Sequence, residues 1–288
     1  MLSIDSSGSG GERWLLNALG ERLARLRNFA ELSGSLPECV FVLASGPSLG
    51  AFPLEAYYEH TFIAMNGSIL AAAQCGITPY FYLCDDESFA RDRRELALMG
   101  LASASNVAMS FEVICRLYEA DRHCLDGKSI FLLERVNRFL GKPRLPDRAY
   151  ARSIRDDVEL VSGFSWFRRT PNRVGFSLNL DKGYFVARTI PYVALQLCYQ
   201  LGSRCIFLVG FDLTPNSGRF YEVGEGCLSS SLNEDYDKYI LPSFSLMARR
   251  VVSPGRFEVF NLSKDSRMPA RVIPKVDLPD VAELISAL

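Results

Sequence analysis

The chain has 288 residues, of which 48% are hydrophobic, 11% aromatic and 23% charged, enough apolar material for a substantial core and incompatible with a disordered or fibrous protein. Its 32 Lys and Arg balance 33 Asp and Glu, a formal charge of −1, so no global excess favours nucleic acid or an acidic membrane and any electrostatic preference is local. That length suits one large α/β domain with an embellishment. No apolar run approaches the roughly 20 residues of a membrane-spanning helix, and the polar, glycine-rich start is unlike a secretory leader, which points to the cytoplasm. The eight cysteines stand singly, without a CxxC pair or a His–Cys spacing for zinc, and read as reduced, mostly buried small hydrophobes.

In chain order, Leu15, Leu19, Leu23, Leu26 and Phe29 recur at helical spacing after a polar first dozen residues, which predicts an amphipathic helix with Arg22 on its stripe and Gly20 in its middle. Such a helix either packs on the domain or, with Trp14 at its start, rests on a membrane surface. Apolar runs at 39–46, 61–66, 79–85, 106–110 and 129–134 each read as a strand buried on both faces. Helices over 68–76 and 87–100 close on Gly76 and Gly100 as C-terminal glycines. This alternation means right-handed βαβ units and a mainly parallel sheet. Residues 140–179 break the rhythm with Pro143, Pro146, Pro171, many arginines and the aromatics Phe164, Trp166, Phe167 and Phe176, as an insertion or lid does. A helix with Pro191 at its start and Gly202 at its end, strands at 205–212 and 257–263, and a closing helix from Leu278 complete the pattern. The division is therefore a tail and helix at 1–35 and one domain at 36–288, with an insertion at about 140–180.

Ligands of open parallel sheets gather at the carboxyl ends of the strands, so the residues where each strand stops are the informative ones. Ala44-Ser45-Gly46-Pro47-Ser48-Leu49 is a tight turn whose hydroxyls and amides suit a phosphate or nucleotide, or simply a strand-to-loop connection. Asn66-Gly67-Ser68 offers an amide for a sugar or base edge, or a helix cap. Cys84-Asp85-Asp86-Glu87 places three acids in succession, which fits a general base, a divalent-ion site or acids at a helix N-terminus. Gly210-Phe211-Asp212 sends an aspartate into a polar turn that leads to Arg219-Phe220-Tyr221. His60 and His123 lie at none of these ends, so a Ser-His-Asp triad has no support.

Taken together, the segments V-L-A-S-G-P-S-L at 42–49, F-I-A-M-N-G-S at 62–68 and L-G-S-R-C-I-F-L-V-G-F-D-L-T-P-N-S-G-R-F-Y at 201–221 resemble the bacterial sialyltransferases of glycosyltransferase family 42 and their relatives. These relatives include the motility-associated glycosyltransferase-like proteins and the lipopolysaccharide-core transferases of 3-deoxy-D-manno-octulosonic acid (Kdo). The resemblance is spread over most of residues 39–265. It implies a Rossmann-like sheet of a GT-A-like variant, a CMP-activated acidic sugar as donor, no cofactor and no metal. It places Ser45, Gly46, Pro47 and Ser48 against the cytidine nucleotide, Asn66 on the donor, Asp212 in the G-x-D turn, Tyr221 or Phe220 at the donor phosphate and Thr189 at the start of the penultimate helix.

The family's catalytic His has no counterpart, since the corresponding region reads Leu232-Asn233-Glu234-Asp235-Tyr236-Asp237. A carboxylate whose pKa is raised by burial can replace it, and Asp85, Asp86, Asp235 and Asp237 are the candidates. Between 135 and 173, nine arginines and Lys142 face Asp147, Asp156, Asp157 and Glu159. That local excess suits an anionic glycolipid such as the lipopolysaccharide core, at an inner-membrane surface, or else a solvated basic face. Three rival readings are a CMP-sialic acid donor, a magnesium-dependent pterin pyrophosphokinase, and an inactive nucleotide-binding scaffold of an envelope assembly.

Overall fold

A computed structural model describes residues 2–6, 12–163, 173–214, 218–222 and 232–287. Twelve strands are present among them: β1 Ser3–Asp5, β2 Arg13–Leu16, β3 Arg22–Arg27, β4 Cys39–Leu43, β5 Thr61–Met65, β6 Phe81–Cys84, β7 Asn106–Met109, β8 Lys128–Leu132, β9 Leu160–Ser162, β10 Gly175–Ser177, β11 Cys205–Val209 and β12 Glu258–Asn261. Ten of them form one sheet in the order β1-β2-β3-β8-β7-β6-β5-β4-β11-β12. Every pairing from β3 to β12 is parallel, and β1-β2-β3 are antiparallel. The mainly parallel α/β sheet read from the alternation of runs is therefore the fold.

Alternate residues of the central strands enter different cores, the consequence of a side-chain period of two. Val40, Val42, Ile63, Met65, Phe81, Leu83, Ile206 and Leu208 face one core. Tyr82 and Cys84 face a second, and Phe41, Leu43, Phe207 and Val209 a third. The first core is covered by α6 (Ile190–Gln200) and by α8 (Leu241–Arg250), which follows the short α7 (Leu232–Asp235). The other two are covered by α1 (Ile69–Gln74), α2 (Glu87–Asp92), α3 (Arg94–Ser103), α4 (Phe111–Ala120) and α9 (Leu278–Ser286). Burial on both faces is why these strands read as unbroken apolar runs.

Three expectations change. The N-terminal amphipathic helix is absent: β2 and β3 form a hairpin, and β3 pairs with β8. Asn17 builds its turn by accepting from the amides of Leu19 and Glu21, and Gly20 sits at φ +82, a left-handed conformation that glycine adopts without strain. Leu15, Ala24 and Leu26 are buried while Leu19 is 84% exposed, so the supposed stripe is not one face. Residues 1–35 thus contribute strands to the main sheet. Gly100 lies inside α3 and does not end it; a Cβ there would meet the Tyr82 ring at 2.3 Å, so the glycine lets helix and sheet approach. The segment read as an insertion carries α5 (Asp147–Ser153) and the antiparallel β9–β10 pair, and it is anchored by Leu160, Val174 and Phe176 in the first core. Phe164, Trp166, Phe167, Arg168, Arg169 and Pro171 lie outside the described residues.

Candidate functional site

After β4 the chain steps outward through β5, β6, β7 and β8, then returns to place β11 on the other side of β4. The point where strand order reverses leaves a crevice at the carboxyl ends of β4 and β11. Ser45, Gly46, Pro47, Asn66, Asp85, Asp86, Thr189, Asp212 and Asp235 all line one cleft of about 1310 Å³ there. Single-ligand pockets span roughly 300–1,000 Å³, so this cleft has room for two substrates side by side. Ser48, Tyr221 and Asp237 are not among its lining residues.

The glycine turn is braced from within. The Gly46 amide donates to the Gly210 carbonyl (2.8 Å) and the Ser48 amide to Asp212 Oδ2 (3.0 Å), while Ser48 Oγ and Ser263 Oγ stand 2.8 Å apart. A Cβ on Gly46 would meet Asp212 Oδ2 at 2.2 Å and Gly210 O at 2.5 Å. The glycine is required by the neighbouring strand end, and these two amides are already taken; the turn presents the Ser45 side chain and Pro47 to the cleft. Asp212 acts here as a brace.

At the end of β5, Asn66 has φ +45, a left-handed position that asparagine tolerates better than most residues. Its carbonyl accepts from the Tyr82 hydroxyl (3.1 Å). Its Oδ1 is buried and has no hydrogen-bond partner among the described residues, a costly state that a ligand donor would relieve. The Tyr221 ring occupies the place a side chain would take at Gly67 and meets Phe89 edge-on at 6.1 Å. Burial raises the Tyr221 hydroxyl to about 12. Tyr221 therefore supports the Asn66 turn.

The two adjacent aspartates have separate roles. Asp86 caps α2, its Oδ1 accepting from Ser88 N (3.0 Å), Ser88 Oγ (2.5 Å) and Phe89 N (3.1 Å). Asp85 is 9% exposed at its side chain. Its Oδ2 accepts from Arg135 Nη2 (2.7 Å), Arg135 Nε (3.1 Å) and the Tyr184 hydroxyl. Burial pushes the Asp85 carboxyl above the usual aspartate range, against the opposing pull of Arg135 and Tyr184. Tyr184 escaped the sequence reading because it stands in an apolar run. Arg135 comes three residues after the end of β8, directly after the apolar run 129–134, so the strand-end rule extended to that run finds it.

Thr189 stands at the N-cap of α6 without a side-chain cap bond, and its neighbour Arg188 has φ +59. Arg188 Nε lies 3.8 Å from Asp235 Oδ1. Asp237 is 75% exposed, 3.9 Å from Arg267, so of the downstream pair only Asp235 reaches the cleft. His60 packs against Phe41, and the exposed His123 pairs with Asp126 at 2.9 Å. The seven described cysteines are free. Among the described residues no three His, Cys, Asp or Glu side chains are grouped to hold a metal ion, and no helix is long and apolar enough to cross a membrane.

Residues 30–279 match the family model described as 3-deoxy-D-manno-octulosonic acid transferase WaaZ. The chain is similar to a probable 3-deoxy-manno-octulosonic acid transferase of Escherichia coli K12, 26% identical over 256 residues covering 87% of each chain. It is also similar to the protein so described in Salmonella typhimurium, 27% identical over 254 residues covering 86% of this chain and 90% of that one. Among solved structures, the MAf glycosyltransferase from Magnetospirillum magneticum AMB-1 superposes with a TM-score of 0.46 at 17% identity, over 88% of this chain and 37% of that chain.

Proposed function

Because the chain belongs to the 3-deoxy-D-manno-octulosonic acid transferase WaaZ family, we propose that it transfers Kdo from a CMP-activated donor to a hydroxyl of a lipopolysaccharide core acceptor, met peripherally at the cytoplasmic face of the inner membrane. The observation that carries this reading is the cleft at the strand-order reversal, where the unpartnered Asn66 Oδ1 and the buried Asp85 line one space large enough for both sugars.

In the reaction the bond from the anomeric carbon to the CMP phosphate breaks with oxocarbenium character, and the acceptor hydroxyl attacks from the opposite face. The Ser45 hydroxyl holds the nucleoside by donating or accepting a hydrogen bond, and the Asn66 amide oxygen by accepting one. The N-terminus of α6, with Thr189 and Arg188, receives the developing phosphate charge, which the positive end of a helix favours. Asp85 takes the proton of the acceptor hydroxyl; its upward-shifted carboxyl is a better base than an ordinary aspartate. Arg135 and Tyr184 hold it in one orientation.

The test is CMP release by purified protein from CMP-Kdo with a core acceptor. Native protein turns over only when acceptor is present, and CMP raises its melting temperature more than CDP, UDP or ATP do. Asp85→Asn cuts turnover on the order of 10²-fold while CMP still binds. If Asp235→Asn abolishes turnover and Asp85→Asn does not, the base is Asp235; absence of CMP binding by the native protein overturns the reading as a whole.

A further inference from the structure

A side cavity of about 50 Å³ adjoins the cleft, and Arg135, Arg138, Arg144 and Arg188 line both spaces. Arg173 completes a ring of five guanidinium groups around it, against one lining carboxylate, Asp147. Asp147 is shared between Arg173 (2.9 Å) and Arg144 (3.1 Å), whose pull outweighs burial and holds its carboxyl below the usual range. Asp85 engages Arg135 and Asp235 lies beside Arg188. Among the described residues, five cations therefore meet three acids. Arg138 has no acidic partner among the described residues, and burial together with Arg144, Arg173, Arg135 and Arg188 disfavours its charged form. Among the described residues no hydrogen bond or ion pair of the Arg138 side chain offsets the cost of four like charges converging on it.

We propose that Arg138, with Arg144 and Arg173, forms an oxyanion subsite that takes a phosphate monoester of the acceptor. The excess of two positive charges matches the −1.5 to −2 of a phosphate near neutral pH, roughly twice that of a single carboxylate. Planar guanidinium forks grip its oxygens two at a time. The cavity borders the cleft on the side of β8 and α5, and the Ser45 and Asn66 ends of β4 and β5 lie across the sheet from it, so the group it holds belongs to the acceptor. This assignment deepens the reading of the acceptor as a lipopolysaccharide core and rests on it.

Calorimetric titration of the full chain with inorganic phosphate, and with acetate at equal ionic strength, tests the subsite without requiring turnover. Native protein binds phosphate at least about tenfold more tightly than acetate, Arg138→Gln loses about tenfold, Arg138→Lys recovers part, and Arg155→Gln, a surface arginine paired with Asp156, behaves as native. Equal binding of the two anions, or native affinity in Arg138→Gln, overturns the subsite. Displacement of phosphate by saturating CMP assigns it to the donor and overturns the acceptor role. In transfer assays the KM of Arg138→Gln rises about tenfold for phosphorylated core acceptor and stays native for dephosphorylated acceptor; an equal rise for both refutes the phosphate. Failure of the native protein to transfer Kdo defeats the proposed function, while the titration still decides the subsite.

Discussion

Tyr184 and Asn66 are the residues whose chemistry is most exposed to a single-atom change. The Tyr184 hydroxyl donates to Asp85 and so favours its charged form. Tyr184→Phe removes that donor, and the Asp85 pKa rises further. A base must be deprotonated to act, so the acid limb of kcat/KM moves to higher pH. An unmoved limb, with folding intact, separates Asp85 from the base. Asn66→Gly removes the buried acceptor Oδ1 yet suits the positive φ. CMP affinity falls on the order of tenfold, as expected for one buried hydrogen bond, while the melting temperature stays near native; unchanged affinity in calorimetry takes Asn66 out of the donor site. Asn66, Asp85 and Ser45 were legible in the chain because each ends an apolar run. Tyr184 was not, because its partner stands 99 positions away and no local pattern marks such a pairing.

For an element, the deciding quantity is how closely it approaches its neighbour. Ala exceeds Gly inside a helix by about 1 kcal/mol, so Gly100→Ala in α3 would be stabilising if α3 stood alone. A Cβ there meets the Tyr82 ring at 2.3 Å, and that ring is wholly buried. Overpacking of this kind costs about 1–3 kcal/mol, so the packing effect wins and urea unfolding shows Gly100→Ala less stable than native. A stability gain would place the helix farther from the sheet. The run 87–100 also read as one helix, whereas the chain breaks at Arg93, with φ −131 and ψ 42, so that α2 and α3 are two helices. Helical spacing says which residues are apolar on a stretch, and it is blind to a bend that lets two short helices pack separately. Asp86 shows the opposite case, where the sequence alternatives included acids at a helix N-terminus and the backbone contacts put Asp86 there as the cap.

On the scale of the molecule, β1–β3 extend the parallel sheet past β8, the strand that leads into Arg135. Deleting residues 1–28 uncovers the edge of β8, whose Ile130 and Phe131 are fully buried, and an exposed apolar edge strand invites association. The truncated chain accordingly has a lower melting temperature and self-associates in light scattering. An appended helix would come away without either effect. Under the proposed function, the same architecture would spread the two substrates along the carboxyl edge, the nucleoside near β4 and β5 and the acceptor anion toward β8 and α5, so a change at either end would leave the other binding step measurable by itself.

The sequence by itself determined the parallel α/β sheet, the order of its central strands as runs, and the places where those runs end, since burial on both faces writes itself as continuous apolar segments. It also determined the surplus of arginine between 135 and 173. Only the tertiary structure decided that the N-terminal segment is strands, that Gly46 yields to Asp212 and Gly210 rather than to a ligand, that Asp85 and Asp86 part into a clamped carboxylate and a helix cap, and that four of those arginines surround one cavity with Arg188. Each of these rests on groups brought together across long stretches of chain, where steric exclusion, desolvation and charge repulsion act through space and leave no period in the sequence.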